Sequence, residues 1–155
     1  MKSKFDFKNI EDFLKRLEQE GSYIIVKKVR ESAVKGLAAE LLDTVIALTP
    51  RRPSSIGGTL QRGWTGGIDT SPQAYVERIP IKTDKYSCQL DIINPVNYAK
   101  YVEYGHRTRN NGWVEGKFML EKASNVVSTY KDSFVYDKII MTLRKLIMWW
   151  LQLMT

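Results

Sequence analysis

Apolar residues recur at spacings of three and four along the first third of the chain. Phe7, Ile10, Phe13, Leu14 and Leu17 form one stripe, which Gly21-Ser22 interrupts, predicting a first helix over Phe7 to Glu20. A second stripe through Val26, Val29, Ala33, Leu37, Leu41, Val45 and Leu48 predicts a long amphipathic helix from Tyr23 to Leu48. At ~1.5 Å per residue it spans roughly 39 Å. Thr49-Pro50 ends it, because the residue before a proline is pushed out of the helical region. The Pro-, Ser- and Gly-rich stretch to Gly58 then predicts a mobile connection.

Beyond that connection the period changes to two. Tyr86, Cys88, Leu90 and Ile92 alternate with Ser87, Gln89, Asp91 and Ile93, the pattern of a half-buried strand. Leu60 to Ile68 and Ala74 to Lys82 read as two more strands, with turns at Asp69-Thr70-Ser71-Pro72 and Thr83-Asp84-Lys85. Pro80 cannot donate to a ladder, so the middle strand is bulged or open on one side there. After Asn94-Pro95, Asn97 suits the N-cap of a short helix in which Tyr98, Tyr101 and Val102 share a face, and Gly105 suits its end. A polar loop from His106 to Glu115 precedes helical spacing at Met119, Ala123, Val126, Val127 and Tyr130. A last helix from about Phe134 carries Ile139, Leu143, Leu146, Trp150 and Leu153.

The expected fold is therefore α+β: a long N-terminal amphipathic helix packed on a small three- to four-stranded antiparallel sheet, with short and C-terminal helices. A single domain over 1–155 is expected. Within it, 1–48 is helical, 49–59 a mobile loop, 60–94 antiparallel strands, and 97–155 helices with a loop at 105–116.

Composition narrows the classes. The 155 residues are 43% hydrophobic and 26% charged, with 5 prolines, 10 glycines and no low-complexity tract, as in one globular domain. The start, Met-Lys-Ser-Lys-Phe-Asp-Phe-Lys, lacks an apolar core and predicts no secretory leader. The apolar run Leu146 to Leu151 is interrupted upstream by Lys138, Arg144 and Lys145. It falls far short of the ~20 residues a membrane span needs. On that helix Trp149 shares a side with Lys138, Thr142, Lys145 and Gln152, which predicts an aromatic outside the core and available to another subunit.

The chemistry that remains is that of surfaces. One cysteine, Cys88, and one histidine, His106, make neither a disulfide nor a usual zinc site, and no nucleophile elbow or phosphate loop is present. Glu103 and Glu115 flank His106 too sparsely to specify catalysis. No enzyme, metal or cofactor is expected. Against 17 acidic residues stand 24 Lys and Arg, a net +7 that favours acidic partners. Cations gather at Arg51, Arg52 and Arg62 and again at Arg107, Arg109 and Lys117, with Trp64 and Trp113 nearby. Arginine beside an aromatic anchors protein interfaces and also holds single-stranded nucleic acid.

Two stretches go further. Asn97-Tyr98-Ala99-Lys100-Tyr101-Val102-Glu103-Tyr104-Gly105-His106-Arg107, followed by Gly116-Lys117-Phe118-Met119-Leu120 and Ala123, resembles the signature of head–tail joining and tail-completion proteins of long-tailed bacteriophages. Upstream, Thr49-Pro50 and Gly58-Thr59-Leu60-Gln61-Arg62-Gly63-Trp64 is similar to that family's proline followed by Gly-x-Leu-Arg-x-x-Trp. Arg51 to Gly57 departs from a shorter connection in relatives, and Glu115 stands where a proline is common.

The resemblance implies a minor structural component of the virion neck, at the head-proximal tail end, made in the host cytoplasm. It implies a ring of about six copies on the tail-tube protein that meets the head-connector proteins. The isolated subunit is expected to be monomeric or weakly associated, with the 50–58 and 105–116 loops becoming fixed on assembly. Tyr98, Ala99 and Val102 are expected inward, and Glu103, His106 and Arg107 outward. The expected interface comprises Arg51, Arg52, Arg62, Trp64, Tyr101, Glu103, Tyr104, His106, Arg107, Arg109, Trp113 and Trp149. The alternative is a basic nucleic-acid-binding protein, and DNA contact through a ring lumen stands between the two.

Overall fold

A computed structural model describes residues 23–51, 53 and 57–154. The expected helix over Phe7 to Glu20, Arg52 and much of the 50–58 connection lie outside the described residues. Helix α1 (Tyr23–Leu48) forms where the second stripe predicts it and buries Val26, Val29, Ala33, Leu37, Leu41 and Val45. Its principal partner is another helix, not a sheet. Gly36 faces Phe134 and Lys138, while Glu40 accepts a hydrogen bond from the Tyr130 hydroxyl at 3.4 Å, so α1 runs antiparallel to the last helix. A Cβ at Gly36 would lie 3.0 Å from Phe134 Cε1; the absent side chain lets the helices approach closely.

Where two strands were expected, the chain forms helices α2 (Thr59–Gly63) and α3 (Pro72–Val76). In the first, Leu60 and Trp64 are four apart and both buried, which is helical spacing. Gly58, at φ 101°, supplies the left-handed residue at its start. In the second, Ser71 is an N-cap whose hydroxyl accepts from the Ala74 amide at 3.2 Å, and Pro72 fills the first helical position. The Ser-Pro pair read as a turn is a helix start. Strands β1 (Lys82–Thr83) and β2 (Cys88–Gln89) make a short antiparallel ribbon, in place of the longer strand expected over Tyr86 to Ile93.

Helix α4 (Ala99–Tyr104) follows, with Tyr98, not Asn97, at the N-cap position. The segment expected as a polar loop contains a hairpin, β3 (Gly105–Arg107) against β4 (Trp113–Glu115), pairing His106 with Val114 and Arg107 with Trp113. The two C-terminal helices are one, α5 (Met119–Met154). The fold is thus α+β, with two two-stranded ribbons among the described residues instead of one sheet of three or four strands. The core lies between α1 and α5, where Val29, Leu42, Val45, Met119, Val127 and Ile139 are fully buried. Each such side chain contributes about 1.5–3 kcal/mol by leaving water. No helix among the described residues is long and apolar enough to cross a membrane.

Candidate functional site

The C-terminal end of α1 is closed by the Gly58 to Trp64 stretch. Trp64 Nε1 donates to Thr49 Oγ1 at 2.9 Å, and the Thr49 hydroxyl in turn donates to the Val45 carbonyl at 2.6 Å. Gln61 Nε2 donates to the carbonyls of Ile46 and Thr49, so carbonyls left free at the helix end find donors. Trp64 is completely buried. It was expected at an interface, but the indole fills the core, and its N–H is what ties the two elements together. Arg62 and Arg51 stay exposed and meet at the glycine turn, where a Cβ at Gly58 would sit 3.1 Å from Arg62 Nη1 and 3.6 Å from Arg51 Nε.

Asn94 joins this layer to the next. Its amide donates to the Leu60 carbonyl at 3.0 Å and its oxygen accepts from the Val96 amide at 3.1 Å. In α4, Ala99 and Glu103 face inward, whereas Lys100, Tyr101 and Tyr104 are exposed. Tyr98, expected inward, is exposed as well.

Glu103 is the largest departure from expectation, since a carboxylate predicted to face outward is 1% exposed. Its oxygens accept from the Leu120 amide at 3.2 and 3.1 Å and from the Glu121 amide at 3.2 Å. These are free N–H groups of the first turn of α5, where a negative charge also meets the positive end of the helix dipole. The backbone reinforces the clasp: Phe118 N donates to Glu103 O at 3.0 Å and Lys117 N to Val102 O at 2.8 Å. Gly105, at φ 83°, turns the chain out of α4, and a Cβ there would lie 2.9 Å from Trp113 Cζ2 and 2.5 Å from Val114 O. The hairpin is therefore anchored at its base by α4 and by the start of α5.

Above that base the side chains face solvent. Arg107, Arg109, Trp113, Val114, Glu115 and Lys117 are exposed, and His106 is half-buried with its ring edge-on to Tyr101 at 6.0 Å between centroids. Lys100 Nζ lies over the Tyr101 ring at 5.2 Å. Of the residues expected at an interface, Tyr101, Tyr104, His106, Arg107, Arg109 and Trp113 are brought together here. Arg51 and Arg62 form a separate basic point. Trp149, 61% exposed, sits near the other end of α5, roughly 45 Å from Met119 at 1.5 Å per residue.

Lys100, Tyr98 and Val114, outside the expected set, are exposed in the same segment. The alternation of Arg107, Trp113 and Glu115 on one hairpin face with His106 and Val114 on the other was the available signal. Among the described residues, no group of three or more His, Cys, Asp or Glu side chains is placed to hold a metal ion.

The model of the family described as "Bacteriophage HK97-gp10, putative tail-component" matches residues 10–105. The chain belongs to the HK97-gp10-like family. It is thereby a structural bacteriophage protein, a tail component. The match runs through α1, the Trp64 closure and α4 and ends at Gly105, so most of the hairpin and all of α5 lie beyond it. No curated protein and no solved structure matches the chain.

Proposed function

We propose that this tail component is a tail-completion or head–tail joining subunit. It assembles as a ring, of about six copies, on the tail tube and meets the head connector at the virion neck. The chain acts as one structural unit in this role, without catalysis. Membership of the tail-component family over residues 10–105 carries the reading. The α4–hairpin surface adds to it, because exposed tyrosine, tryptophan and arginine are the side chains that anchor protein interfaces. Electron microscopy of phage made without this protein tests it: overlong, uncapped or head-free tails are expected, and normal virions contradict it. The excess of cations on the hairpin also supports a second reading, contact with DNA, which predicts duplex binding that weakens steeply as salt rises.

A further inference from the structure

We infer that α4 and the β3–β4 hairpin form a preset arm that docks on an acidic surface of a different virion protein; this rests on the tail-assembly reading above. Tyr104 and Trp113 are 58% and 56% exposed, well above what the core tolerates for aromatics. Between them stand Arg107 and Arg109, and across the whole segment Lys100 and Lys117 add charge against the single exposed acid Glu115. Exposed aromatics interspersed with cations call for a partner with matching aromatic or aliphatic area and carboxylates beside it.

A second copy of this chain, itself carrying a net +7, supplies those carboxylates less well than an acidic partner does. The protein carries 24 Lys and Arg to 17 Asp and Glu, and several of its described acids already have partners within the chain. Glu77 pairs with Lys35, Asp91 accepts from Lys82 at 3.1 Å, Asp43 accepts from Gln73 at 2.8 Å, and Asp84 is consumed by its own turn. Single-stranded nucleic acid fits less well than protein, since bases stack on open ring faces. One face of Tyr101 carries the Lys100 ammonium and His106 packs edge-on against the ring, while Trp113 leans on Gly105. The Glu103 clasp fixes the arm before any partner arrives, so little ordering cost is charged to binding.

The test is co-sedimentation of the purified protein with phage tails assembled without it. The double charge reversal Arg107→Glu with Arg109→Glu is compared with Lys28→Glu with Arg78→Glu, an equal reversal on exposed positions of α1 and beyond α3. Binding at least about tenfold weaker for the hairpin variant, with the control variant unchanged and both folded by circular dichroism, is the expected result. Unchanged binding of the hairpin variant, or an equal loss in the control, overturns the inference while leaving the tail-assembly reading intact. Loss of binding to a short duplex DNA with tail binding retained overturns it in favour of nucleic acid. Failure of the unmodified protein to sediment with tails removes the tail-assembly reading itself, and the inference with it.

Discussion

At the scale of single residues, Glu103 does what its neighbours in sequence do not suggest. Within Asn97 to Arg107 it stands four residues after inward-facing Ala99 and so on the same helix face, but its charge reads as a surface position. Only the return of the chain through Gly116 to Leu120 brings two free amides of α5 against its carboxylate. Replacing it leaves buried donors without an acceptor, which costs about 1–3 kcal/mol. Glu103→Ala is therefore expected to lower the stability measured by chemical denaturation by that amount, while Glu115→Ala, at an exposed position, changes it by less than about 0.5 kcal/mol. Equal effects at the two positions contradict the clasp. Trp64 makes the complementary point. An aromatic beside arginine reads as an interface anchor, yet its indole N–H closes on Thr49 inside the protein.

At the scale of elements, the turn between β1 and β2 is organised by one carboxylate. Asp84 accepts from the Ser87 hydroxyl at 2.6 Å and from the amides of Tyr86 and Ser87 at 2.8 and 2.6 Å. Those bonds hold its pKa below the ordinary 3.8, the Ser87 hydroxyl contributing most. A lowered carboxyl pKa stabilises the folded turn above the unfolded value, and that contribution is lost as pH falls through the folded one. Amide exchange at Tyr86 and Ser87 is expected to accelerate relative to the rest of the ribbon as acid is added below pH ~4. Protection that persists through that range contradicts the assignment.

The long periodic helix was legible because twenty-six residues repeat one stripe. Elements of five residues were not, since Leu60 to Ile68 and Ala74 to Lys82 contain too few turns for a period of 3.6 to outweigh a period of two. The hairpin was hidden for a different reason. Its strands are three residues each with exposed Trp113 and Val114 among polar side chains, and it is anchored at its base by Gly105 and Glu103, outside any pattern within it.

At the scale of the whole molecule, large exposed apolar side chains among the described residues gather in several places. One is the α4–hairpin arm at the start of α5; others are the start of α1, where Ile24 is 62% exposed, and the C-terminal half of α5, where Met141, Ile147, Met148 and Trp149 are each more than half exposed. A subunit of an assembly has a use for such surface. The site was legible as composition, in the tyrosines and arginines after Asn97. It was not legible as geometry, because which of them face out depends on Glu103 turning in.

The most direct measurement is the solution mass by light scattering, for the protein alone and then mixed with the tail-tube protein of its own phage. A monomer that shifts into a single complex of defined, ring-sized mass is the predicted result. A mass unchanged by the tube protein, at concentrations well above those of assembly in the cell, contradicts the account.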